Sequence, residues 1–148
     1  MQPVVSTTVI AASPPIVWPY LTEPGLMKKW MGEPEMGLEI DTDWTVGNPI
    51  VIRGNHHGKF ENRGVVLEFQ PCEIVSYTHL SSISRLSDVP EHHAVITLRL
   101  APRGHETLLT THVDGFANES IYKHLNLYWL TTPEVIKKLV ESSGQLTS

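Results

Sequence analysis

Few side chains in this 148-residue chain have types and spacing that could do chemistry. His56-His57 and His92-His93 are adjacent pairs, and neighbours on a strand point to opposite faces. Neither pair can close on one metal ion outside an irregular turn, and no third ligand stands at zinc spacing. No metal is therefore expected, and His56-His57 reads as a polar hairpin. There is no Gly-x-Ser-x-Gly elbow and no His-Glu-x-x-His helix. No glycine-rich loop leads into a helix, and Gly54 and Gly58 punctuate a hairpin. Cys72, the only cysteine, follows Pro71 in a turn without a catalytic signature. Asp41 and Asp43 could form a rim near a turn before Trp44, and Glu68 should face solvent. One constellation remains. Val75, Tyr77 and His79 share a strand face, so Tyr77 and His79 could hydrogen-bond a carbonyl or hydroxyl, or shuttle a proton. The alternative is a structural histidine, satisfied within the fold. No catalytic residue is assigned and no cofactor is expected.

The elements that must position this pair can be read along the chain. Val4 to Ala11 is rich in β-branched residues and reads as a strand. Ser13-Pro14-Pro15 is a helix start, with Ser13 as cap and proline in the first turn, followed by short helices over Ile16 to Leu21 and Leu26 to Met31. The period then changes to two. Met36 to Ile40, Pro49 to Gly54, Lys59 to Phe69, Glu73 to Leu80, His92 to Leu100 and Glu106 to Asp114 are the expected strands. Sequential strands joined by short turns pair antiparallel. Alternation sets Val65, Leu67 and Phe69 against Glu68, and Ile96, Leu98 and Leu100 against Thr97 and Arg99. One face is therefore apolar and the other solvated. From Phe116 to Glu141 apolar residues recur at helical spacing. Pro133 interrupts this last segment, and two conformations answer it. The helix bends there, or Thr132 caps a new helix with Pro133 in its first turn.

Composition bounds the function. The net charge is −5 and the 11 basic residues are scattered, so neither nucleic acid nor an anionic membrane surface is an expected partner. No stretch approaches eighteen apolar residues, so no membrane span is expected. The start lacks the pattern of a secretory signal, and a single cysteine fits a reducing compartment. The expected setting is cytoplasmic, with residues 1–148 forming one domain of α+β class.

Four blocks in order carry a family resemblance: VIAASPPIVWPYLTEPGLMKKW, GVVLEFQPCEIVSYTH, ITLRLAPRGHETLLTTHVDGF and the aromatic pair Tyr128-Trp129. Together they resemble the START-like or SRPBCC superfamily, the helix-grip fold of the birch pollen allergens, in the branch homologous to activators of the heat-shock-protein-90 ATPase. The resemblance implies a curved antiparallel sheet of six or seven strands gripping a long C-terminal helix. Two short helices close one end, and a cavity lies between sheet and helix. Relatives in this superfamily bind apolar molecules, catalyse reactions in the cavity, or act on a chaperone.

Three functions follow as expectations. The first is binding of a small apolar or amphipathic ligand by Trp30, Leu67, Phe69, Tyr77, His79, Ile96, Leu98, Leu125, Tyr128 and Trp129. The second is a cyclase, dehydratase or hydrolase with His79 and Tyr77 as acid/base groups; a strongly shifted His79 with a polar array around it would favour it, and a dry, purely apolar lining would favour binding. The third is regulation of a chaperone ATPase through the outer surface, with a chaperone or a second copy of the chain as partner. The bend at Pro133 would either shape the cavity mouth or fit the helix to the sheet.

Overall fold

The computed structural model describes residues 1–146; Thr147 and Ser148, the end of the expected domain, lie outside the described residues. The strands are β1 (Val4–Ile10), β2 (Glu39–Asp41), β3 (Pro49–Asn55), β4 (Lys59–Gln70), β5 (Ile74–Ser81), β6 (Ala94–Arg103) and β7 (Glu106–Asp114). The helices are α1 (Pro14–Thr22), α2 (Pro24–Met31) and α3 (Glu119–Leu146). All strand pairs are antiparallel, in the order β1-β7-β6-β5-β4-β3-β2. This is the expected seven-stranded α+β arrangement with a terminal helix across the sheet.

Two features curve the sheet. The first is a β-bulge between Val66 and Glu68. It adds a residue to β4 and reverses the alternation beyond it. Val66 is fully buried on the inner face, whereas Leu67 is 40% exposed. The expected grouping of Val65, Leu67 and Phe69 is therefore corrected: Val65 and Leu67 lie outside, and Phe69 regains the inner side only because of the bulge. The second feature is Gly64. Arg63 pairs with Leu80 and Val66 with Tyr77, but no pairing is formed between them. The Val65 N–H donates instead to the Thr78 hydroxyl at 2.9 Å. A Cβ on Gly64 would lie 1.7 Å from the Thr78 carbonyl oxygen, so only glycine lets the strands approach so closely.

Local structure differs from expectation at several boundaries, among them the start of β6, which is Ala94 rather than His92 because Pro90–His92 is a 3-10 turn. Met36 belongs to a 3-10 turn, Pro34–Met36, and β2 starts at Glu39. Ser13 occupies the N-cap position of α1, yet its side chain makes no capping bond. Pro14 and Pro15 bring no N–H to the first turn, which removes most of what the hydroxyl would cap. The Ser13 carbonyl accepts from the Ile16 and Val17 N–H groups instead. Helix α3 begins later than Phe116, where the Asn118 side chain accepts from the Ile121 N–H at 2.9 Å, an N-cap of the usual kind.

Helix α3 is continuous through Pro133, so it is not divided into two. The Thr132 hydroxyl donates to the Tyr128 carbonyl at 2.6 Å, strengthening the turn that precedes the proline. The helix has two jobs on either side of that point. Beyond it, Ile136 and Val140 are buried, and Lys137 donates to the Val9 carbonyl at 2.7 Å. Glu141 accepts from both Lys137 and the Ala11 N–H, which clamps this half to the end of β1. Before it, Leu125, Tyr128 and Trp129 face the sheet across a hollow.

Candidate functional site: a hollow between sheet and helix

The hollow has a volume of about 280 Å³, close to the lower end of the usual range for small-molecule pockets, about 300–1,000 Å³. Strand β5 contributes Tyr77 and His79, β6 contributes Ile96, and α3 contributes Leu125, Tyr128 and Trp129. The remaining wall comes from β3, β4, the turn before β2 and the end of α2, through Ile52, Phe60, Asn62, Leu38, Met36 and Met31. His56, Ile83 and His124 are exposed and stand at its rim. A second hollow of about 260 Å³ adjoins it, sharing His79, Ser81, Ile83, His124 and Leu125.

Its position follows from side-chain size. His79 lies opposite Ala94 on β6, and the register on its other side brings it level with Gly64. Two near-absent side chains thus flank it. Toward the other end of the sheet, Val66, Val75, Leu98 and Leu100 are buried with Trp18 and Leu21 of α1 in one cluster. That end is filled.

Six of the ten expected ligand-contacting residues line the hollow: Tyr77, His79, Ile96, Leu125, Tyr128 and Trp129. Four do not. Leu67 is on the outer face for the reason given above. Leu98 is fully buried in the filled end. Phe69 is stacked on Trp44 at 5.6 Å between ring centres and packs on Trp18 at 5.5 Å. Trp30 stands behind the wall, edge-on to Trp129 at 6.2 Å, with its indole N–H on the Tyr20 carbonyl at 2.7 Å. The sequence reading missed Asn62, Phe60, Ile52, Leu38 and the two methionines. Parity along β4 could have found Asn62, since Asn62, Gly64 and Val66 share a face ahead of the bulge.

The polar groups divide into satisfied and unsatisfied sets. Tyr128 O–H donates to the Met31 carbonyl at 2.9 Å, tying α3 to the end of α2. Trp44 stands at φ 56°, costly for a bulky side chain. It is held by the Thr42 hydroxyl, which accepts its backbone N–H, and by the Thr22 carbonyl, which accepts its indole N–H at 2.6 Å. Trp44 in turn backs the Tyr77 ring at 5.9 Å. By contrast, Asn62 Oδ1 is buried without a hydrogen bond, alone among the buried side-chain polar atoms of the described residues. The side chains of Tyr77, His79 and Trp129 also form no hydrogen bond among the described residues, but none of their polar atoms is both fully buried and unpaired.

Burial sets the protonation states. It pushes His79 down to about 4, with the nearby His124 and His93 adding to the shift. Burial also raises the Tyr77 phenol and pushes Tyr128 up to about 12. No Asp, Glu, Lys or Arg side chain lines the hollow. At neutral pH His79 is therefore an uncharged donor and acceptor.

The remaining histidines lie apart from the hollow's floor. His56 and His57 occupy the β3–β4 hairpin, with their rings 4.4 Å apart and His57 at φ 57°. His93 is held by Asp88 at 2.6 Å and the Thr78 hydroxyl at 3.0 Å. Among the described residues no three metal-ligating side chains come together, and no helix is long and apolar enough to cross a membrane.

A bulged, strongly curved antiparallel sheet closed by a long terminal helix defines the helix-grip class, in the START-like or SRPBCC superfamily. Within it, the family described as activator of Hsp90 ATPase homolog 1-like protein matches residues 11–141. The chain belongs to that family. No curated protein sequence matches it. Among solved structures it is similar to ChR145 of Cytophaga hutchinsonii, at 28% identity and TM-score 0.79, with 98% of this chain and 97% of that one covered. The Chromobacterium violaceum protein CV1439 shares 21% identity over 94% and 96% of the two chains, at TM-score 0.77. The Aha1 dimer of Colwellia psychrerythraea shares the fold at 20% identity and TM-score 0.72, with 95% and 97% covered.

Proposed function

We propose that this chain binds a small, mainly apolar molecule between its sheet and the first half of α3. The observation that carries this is the unfilled space around Tyr77 and His79, walled by apolar side chains and flanked by Gly64 and Ala94. The second expectation, acid/base catalysis, calls for a strongly shifted His79 with a polar array around it. The shift is large, but its direction works against proton transfer at neutral pH. An imidazole with a pKa near 4 is a weak base and is almost never protonated at pH 7, whereas an efficient catalyst titrates near its working pH. Native mass spectrometry tests the proposal, with Leu125→Trp as a variant whose hollow is filled. A compound carried by the wild type and lost in Leu125→Trp supports it. A wild type that carries nothing, and does not raise the fluorescence of N-phenyl-1-naphthylamine, refutes it.

The family match and one surface feature favour a second reading, regulation of a chaperone ATPase. Leu127 and Leu130, nearly one turn apart on α3, are 71% and 59% exposed. In that case Leu127→Glu/Leu130→Glu abolishes an effect on chaperone ATPase turnover, and Leu125→Trp leaves it intact.

A further inference from the structure

The walls of the hollow define which molecules it suits. We infer that its ligand is an uncharged compound carrying a hydroxyl group on an apolar, ring-sized body, with the hydroxyl bound at Asn62. This rests on the binding function proposed above and names the chemical class that function would serve.

Three observations converge. Asn62 Oδ1 is buried and accepts no hydrogen bond. Such an atom loses its water without compensation unless a donor arrives with the ligand. A hydroxyl suits an amide because its O–H donates to the carbonyl oxygen while its lone pairs remain free to accept. The indole N–H of Trp129 and the phenol of Tyr77 stand in the same walls as further donors without protein partners. The second observation is that no Asp, Glu, Lys or Arg side chain stands in the lining, and that of its histidines His56 and His124 lie exposed at the rim. Beyond that rim a carboxylate, phosphate or ammonium would lie with its charge unpaired, which is far costlier than burying a neutral polar group. His79 does not supply a compensating charge, because burial holds it neutral at pH 7. The third is the apolar wall. Phe60, Trp129 and Tyr128 contribute aromatic rings, and Met31 and Met36 are adaptable thioethers that pack well against aromatic rings.

The test compares 4-butylphenol with its methyl ether and with 4-butylbenzoate by isothermal titration calorimetry at pH 7. The ether keeps the body and removes the donor; the benzoate adds charge. The phenol is expected to bind the wild type at least tenfold more tightly than the ether, and the benzoate more weakly than either. In Asn62→Leu the phenol should lose that advantage, so that phenol and ether bind within about twofold of one another. Binding of the ether to Asn62→Leu shows at the same time that the variant is folded. Equal affinities of phenol and ether for the wild type would overturn this inference while leaving the binding function standing, and so would preference for the benzoate. If none of the three binds the wild type, the inference and the binding function fail together.

Discussion

Gly64 is the position on which the shape of the hollow depends most directly, and Gly64→Ala tests that dependence. A Cβ there would stand 1.7 Å from the Thr78 carbonyl oxygen and 2.6 Å from its carbonyl carbon. Ordinary contact requires about 3.4 Å or more, so the strands must part by more than an ångström. Forcing extra methylenes into a packed interior costs about 1–3 kcal/mol when side chains can shift. The obstructing atoms here are backbone, and β5 is fixed from its far side by pairing along β6 from Ile74 to His79. The cost should therefore reach or exceed the upper end, about 3 kcal/mol. For a chain of this size each kcal/mol lowers Tm by about 2–4 °C, which gives a fall of about 6–12 °C. Gly25→Ala is the matched control. Gly25 lies in α2 with nothing within 4 Å of its missing Cβ, so alanine should stabilise by about 0.5 kcal/mol through the unfolded chain. Differential scanning calorimetry of both variants at pH 7 measures the contrast. A Gly64→Ala protein melting within 2 °C of wild type would refute the reasoning, because the strands would then have been free to separate at little cost.

Two further outcomes follow from the site. Unfolded histidine titrates near 6.5 and His79 in the fold near 4, so between these values the unfolded chain binds the extra proton. Stability is then complete above pH 6.5, falls as the pH drops through this window, and has lost about 3 kcal/mol once below pH 4. His79→Leu should remove that share of the slope, and urea titrations from pH 7 to 4 with an unchanged slope would contradict it. Tyr128→Phe deletes the hydrogen bond to the Met31 carbonyl, for which about 1 kcal/mol is expected; a loss below about 0.3 kcal/mol would mean that carbonyl finds another partner.

The fold was legible from the sequence because its signals are local and repeated. Period-two runs between turn residues located the strands, and the spacing of Ile121, Leu125, Trp129, Ile136 and Val140 located the helix. The Tyr77/His79 face was also legible, since β5 alternates without a bulge. Leu67 was misplaced because a bulge shifts parity by one residue, and nothing near Val66 announces it. Asn62 was passed over because polar residues on a strand ordinarily face water. Ser13 has the type and place of a cap, but the rule for capping residues takes no account of two prolines that bring no N–H to be capped.

Three of the four expected contacts that do not line the hollow, Trp30, Phe69 and Leu98, share a cause with physical content. Large apolar side chains are the natural first choice for lining a cavity, yet large side chains are also what fill one. Leu98 and Phe69 instead pack with Trp18 and Trp44 at their end of the sheet. The space opens where the inner face carries glycine at 64, alanine at 94 and short polar groups at 62 and 81. An open space beside small residues would collapse if its walls could move inward. Here Tyr128 is tied to Met31, Trp30 buttresses Trp129 from behind, and α3 is clamped to β1 beyond Pro133. These ties fix α3 beside the gap from Tyr128 onward. By this argument Pro133 matters less for the mouth than for the division of labour along α3, since every α3 residue lining the hollow lies on its N-terminal side.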